Sequence, residues 1–92
     1  METLQSKVTQ KLKKECSCFS SIYLYMKHII VQADNPEHCK ELKQEITRVI
    51  GQYFPEREEV LPFILTCQGL KDDHFHIERK LCRKEIVTGL IK

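Results

Sequence analysis

Glycine and proline are scarce. Three glycines, at 51, 69 and 89, leave long stretches of chain without a flexible point, and only three prolines interrupt it. Few glycines beside many Lys, Glu, Leu and Ile favour helix. No apolar run reaches 18 residues, so nothing is long enough to span a bilayer as a helix. The first residues, METLQSKVTQKLKK, lack the apolar segment of a signal peptide. Charge of one sign is lacking too: 15 basic against 13 acidic residues gives +2, too balanced to announce nucleic acid or an anionic membrane. A basic patch at Lys7, Lys11, Lys13 and Lys14 reads as a solvated helix face. Asn-Gly and Asp-Gly pairs, which mark tight hairpins, do not occur.

Ninety-two residues make one small domain, residues 1–92, with room for one core. A chain of this size buries only about 60–65% of its unfolded surface, so self-association or a permanent partner is a natural source of extra stability. Its 41% hydrophobic and 30% charged residues are ordinary globular usage. Five cysteines are an odd number, which argues against a disulfide framework. Without a secretion signal they read as reduced thiols in the cytoplasm.

The chain is organised around residues 22–54. Before the punctuation mark Asn35-Pro36-Glu37, apolar groups recur at Leu4, Val8, Leu12, Cys16, Phe19, Ile22, Met26, Ile29, Ile30 and Ala33. Steps of three and four are the period of a helix face, which predicts one long helix, broken if anywhere at the serine- and cysteine-rich 17–21. A break there gives helices near 3–15 and 20–33. Asn35 is an N-cap, Pro36 suits a first helical position, and Glu37 faces the positive end of the helix dipole. The next helix carries Leu42, Ile46, Val49, Ile50 and Tyr53 on one face and stops at Phe54-Pro55. A third begins at Pro55 or nearer Glu59, with Pro62 as an awkward kink, and ends at Gly69. A last helix covers about 73–90. The expected fold is all-α: a four-helix bundle with antiparallel neighbours and no sheet.

Chemistry is thinly represented. Cys16, Cys18, His38, Cys39, Cys67, His74, His76 and Cys82 include neither the Cys-x2-Cys nor the His-x3-His spacing of a zinc site. Cys16 and Cys18 diverge by about 200° on a helix, and adjacent His38 and Cys39 by about 100°, too far to share an ion or form a nucleophile–base pair. No phosphate-cradling glycine loop or hydrolase motif is present. No cofactor, metal or catalytic residue is therefore assigned, and the chain reads as a non-enzyme. Arg79, Lys80, Arg83, Lys84 and Lys92 are diluted by Glu78 and Glu85, which speaks against nucleic-acid binding.

What remains is apolar surface. Residues 20–33 carry Ile22, Tyr23, Leu24, Tyr25, Met26, Ile29, Ile30 and Val31, more than one helix in a small domain can bury. The surplus is either central-helix core or an interface. Tyr23, Tyr25 and Met26 are residue types that anchor interfaces.

Tyr25-Met26-Lys27-His28-Ile29-Ile30, followed by a short polar link and then Leu42, Ile46, Val49 and Ile50, resembles the GRIP domain of trans-Golgi golgins. The resemblance covers about residues 23–61, and Ala33 stands where the family has a large apolar residue. It implies a small helical homodimer, peripheral at the Golgi, that binds an Arf-like small GTPase. Tyr25 would be the key contact, with Met26, Ile29, Ile30 and Tyr23 beside it. The alternative is a small helical chaperone or assembly subunit that shields a partner protein, for example in a secretion apparatus.

Overall fold

The computed structural model describes residues 3–78. It is an α+β fold of two helices and a four-stranded sheet, which overturns the expected all-α four-helix bundle. The order along the chain is α1 (Leu4–Glu15), β1 (Phe19–Tyr25), β2 (His28–Ala33), α2 (Cys39–Tyr53), β3 (Leu61–Thr66) and β4 (Asp73–Ile77). The strands lie in the order β1-β2-β3-β4. Two antiparallel hairpins, β1–β2 and β3–β4, are joined through a parallel β2–β3 pair. A parallel pair needs a crossover, and α2 supplies it.

Side-chain caps open both helical stretches. The Thr3 side chain accepts from the Ser6 backbone N–H at 3.1 Å and caps α1, while Lys13 and Lys14 sit at the negative end of its dipole. The Asn35 side chain accepts from the Glu37 N–H at 2.9 Å, and Pro36 opens a single 3-10 turn that leads into α2. The helix closes at Phe54, before Pro55. Val8, Leu12, Leu42, Ile46, Val49 and Ile50 form the buried stripes of the two helices.

Those stripes cover one face of the sheet. Ile22, Ile29, Val31, Leu61, Phe63, Leu65 and Ile77 alternate along their strands and share a single core with them. The helices are also tied to each other: the Tyr53 hydroxyl donates to Glu15 at 3.0 Å, which raises the tyrosine's pKa, and the Lys11 ammonium lies 4.2 Å from the Tyr53 ring centre.

Three predicted helices are strands or not helical where described. The expected helix 20–33 is the β1–β2 hairpin, in which Tyr25 opposes His28 across the two-residue loop Met26-Lys27. Ile, Val and Tyr are residues of pleated surfaces. Because both faces of this hairpin carry apolar groups, the alternation that would have betrayed it is masked. The expected helix after Pro55 is β3, and Pro62 explains itself there. Pairing of β3 with β2 begins only at Phe63, so the missing N–H of Pro62 removes nothing from that ladder. The expected helix 73–90 starts as β4; its remainder, from 79 on, lies outside the described residues.

Glu45 links the second helix to the turn before β1. Its carboxylate accepts from the Ser17 backbone N–H at 2.8 Å and from the Ser17 hydroxyl at 3.4 Å. Burial, and then the Glu45 charge, pushes the neighbouring Cys16 thiol up to about 12. Glu45→Ala is expected to cost about 1 kcal/mol, at the low end for a bond to a charged group because Ser17 is exposed. Denaturant titration beside Glu41→Ala, an exposed acid in the same helix, checks this; equal effects would show that the Glu45 bridge contributes nothing.

Candidate protein-docking surface

Side chains alternate across a sheet, so the face turned away from the helices is fixed by the register. Tyr23 opposes Ile30, Ile30 opposes Ile64, and Ile64 opposes His74, which makes one row across all four strands. Tyr25 opposes His28, and Pro62 opposes His76, in the next row. Among the described residues no helix covers these rows. Ile30 is only 7% exposed yet lies outside the main core cluster, since its row neighbours on the open face shelter it. The open face thus has an apolar centre of Tyr23, Ile30 and Ile64, with three histidines alongside.

At one edge of this face stands β1. It runs seven residues, FSSIYLY, with no charge and no proline. Edge strands in soluble proteins are usually blunted by such residues, because unpaired backbone groups invite another strand. The only blunting here is an irregularity between Phe19 and Ser21, which leaves Ser21–Tyr25 in regular register. The opposite edge, β4, is shorter and begins with Asp73, whose carboxylate pairs with Lys43 at 3.1 Å.

The hairpin tip is the most exposed apolar part of the described chain. Tyr23 is 43% exposed, Leu24 39%, Tyr25 62% and Met26 82%. Met26 also takes φ = +55°, the left-handed region. Positive φ at the first of two loop residues is the pattern of a II′ hairpin turn, where glycine is the usual occupant. A long apolar side chain held there and pointed at solvent has no use in the fold itself.

The five predicted partner-binding residues divide cleanly. Tyr23, Tyr25 and Met26 come together at the exposed tip. Ile29 is fully buried on the opposite face, among the core residues beneath the helices. Ile30 lies on the open face but under cover. Leu24 was not among the predicted residues; its signal was the unbroken apolar run around it.

The other candidates are scattered. Cys16 is buried beside Glu45. His38 hydrogen-bonds to Asp34 at 2.9 Å, which raises its pKa. Cys82 and the basic residues Arg79, Lys80, Arg83, Lys84 and Lys92 lie outside the described residues. Among the described residues no helix is long and apolar enough to cross a membrane. No known protein family, curated protein or solved structure matches this chain.

Proposed function

We propose that the protein is a non-enzymatic protein–protein interaction module that works by strand addition along β1. The observation that carries this reading is the uncharged, proline-free edge strand ending in the exposed Tyr23, Leu24, Tyr25 and Met26. Main-chain hydrogen bonds to a free edge give affinity, and side chains on alternate positions give selectivity. Tyrosine suits a partly wet contact, because its ring supplies area while its hydroxyl stays solvated.

The occupant that best fits this edge is β1 of a second copy. An edge without charge repels nothing, least of all itself, and antiparallel pairing of two β1 strands is self-complementary about a two-fold axis. The two four-stranded sheets would then join edge to edge, and the open faces would align into one surface carrying Tyr23 and Tyr25 from both copies. The family resemblance placed Tyr25 on a helix, so the partner is argued here from the hairpin that carries it. A GTP-loaded Arf-like GTPase is the candidate for a further partner on that surface. A chaperone or assembly subunit would use the same edge to shield a strand of its client.

The test is self-association of the purified chain by analytical ultracentrifugation over a wide concentration range. Tyr23→Lys places a cation on each copy at the shared edge and is expected to weaken dimerisation tenfold or more with little change in melting temperature. A wild-type chain that stays monomeric at high concentration, or a variant that dimerises equally well, would sink the reading. Binding of a GTP-loaded Arf-like protein to the monomeric variant alone would show that the edge serves a different partner.

A further inference from the structure

Two thiols 28 positions apart in sequence meet in the fold. Cys39 is the first residue of α2, and Cys67 directly follows β3. Leu42 and Ile46 of the helix and Leu65 of the strand share the core, and that packing sets the first turn of α2 beside the end of β3. Cys39 and Cys67 line one cavity of about 330 Å³, with Leu65, Leu70, Lys40, Lys71 and the Lys43–Asp73 ion pair around them. The Cys39 Sγ donates to the Asn35 carbonyl at 4.0 Å; burial, and then the neighbouring Cys67 thiol, hold Cys39 above the ordinary thiol range. Both are half-buried, open enough for a small reagent. The Cys67 side is shaped by a tight turn in which the Leu70 N–H donates to the Cys67 carbonyl at 3.1 Å, with Gly69 at φ = +87°.

This arrangement differs from that of the other described cysteines. Cys16 is sealed in the core, and Cys18 has the Ser17 hydroxyl, not a second thiol, as its neighbour. A thiol with a second thiol beside it and solvent access is the setting in which oxidation stops at the disulfide, because the second sulfur intercepts the first oxidised product.

We propose that Cys39 and Cys67 are an oxidation site, converted by a peroxide-class oxidant to an intramolecular disulfide that clamps the start of α2 to the end of β3. The chemistry balances. One thiolate attacks the O–O bond of hydrogen peroxide, forms an S–O bond and releases one water, giving a sulfenic acid. The second thiolate attacks that sulfur and forms the S–S bond, and the hydroxyl leaves as a second water. Two thiols and one peroxide give one disulfide and two waters. Closing a loop of this length restrains the unfolded chain, so the oxidised protein resists unfolding more than the reduced one.

The experiment uses the full chain and a Cys82→Ser variant, treated with hydrogen peroxide, alkylated and mapped by peptide mass spectrometry. Expected are loss of two hydrogens, a Cys39–Cys67 cross-linked peptide in both proteins, and an unoxidised Cys16. The melting temperature should rise by roughly 10 °C and return on adding a dithiol reductant. Cys39→Ser and Cys67→Ser should each fold, lose the intramolecular cross-link and lose the temperature rise. A cross-link that instead involves Cys18 or Cys82, or overoxidation of Cys39 with Cys67 left as a free thiol, would overturn the proposal.

Discussion

Phe63→Ala is expected to cost about 3–5 kcal/mol, the largest loss from any single truncation considered. Phe63 is 1% exposed on β3, an interior strand, where it faces the helices between its cross-strand neighbours Ile29 and Phe75. Its ring stacks on Phe75 with centroids 5.1 Å apart and planes within 7°. Aromatic pairs of this kind add about 0.5–1.5 kcal/mol beyond burial. The Lys43 ammonium also lies over the Phe75 ring, 4.7 Å from its centre. For a small domain with a total stability of about 5–15 kcal/mol, such a loss is a large fraction. The melting temperature should fall by roughly 15–30 °C. Phe63→Leu keeps most of the volume and should lose less than half as much. Denaturant titration of both, with Phe75→Leu to complete a double-mutant cycle, measures the stack itself. A Phe63→Ala loss under about 1.5 kcal/mol would mean that the sheet does not depend on this ring.

The second helix was legible because its signals are local, whereas the first, expected to run on to residue 33 unless broken at 17–21, stops at Glu15. The Asn-Pro-Glu start and the Phe-Pro stop act through neighbouring backbone groups, and α2 ends where Phe54-Pro55 says it should. The strands were not legible, for two reasons tied to particular residues. Residues 22–31 carry apolar groups on both faces, and a strand apolar on both faces has no period of two to detect. The turn between β1 and β2 is Met26-Lys27, with none of the glycine, asparagine or aspartate that announces a hairpin. Composition held the better clue: Ile, Tyr and Val crowd residues 22–31, and β-branched and aromatic residues favour pleated sheet over helix. The same clue stands in Leu61-Pro62-Phe63-Ile64-Leu65, where the proline that sat badly in a helix sits well at the start of a strand.

The exposed apolar tip of the candidate surface was legible in part for a related reason. Surplus apolar surface can be read from residue types without knowing the fold, so Tyr23, Tyr25 and Met26 were singled out although the element carrying them was misassigned. Ile29 went astray because its facing depends on the element. On a helix it lies three positions from Met26 and shares that face; on a strand it joins the opposite layer. The Cys39–Cys67 pair left no trace in spacing, since a contact between residues 28 apart is made by packing alone.

Met26→Gly is expected to make the fold more stable and the dimer weaker, and that opposition separates an interface from a loop. In the left-handed region an L-residue with a side chain loses about 1–2 kcal/mol, a penalty glycine escapes. Glycine returns part of that through its greater freedom in the unfolded chain. The net gain in stability should be about 0.5–1 kcal/mol, because the Met26 side chain, 82% exposed, contributes little packing to the monomer. Strain kept at an exposed tip points to a use outside the monomer, and there the thioether would press on the second copy. Losing it should weaken dimerisation about tenfold, close to 1.4 kcal/mol. Tyr25→Ala beside it should weaken dimerisation more, by about thirtyfold, as removal of a central aromatic anchor typically does. Its effect on the melting temperature should be small, since 62% of the residue is already in solvent. Paired measurements of thermal unfolding and sedimentation on the two variants check both halves. If Met26→Gly leaves association untouched, or if Tyr25→Ala chiefly lowers the melting temperature of a monomer, the tip serves the fold and the docking surface lies elsewhere.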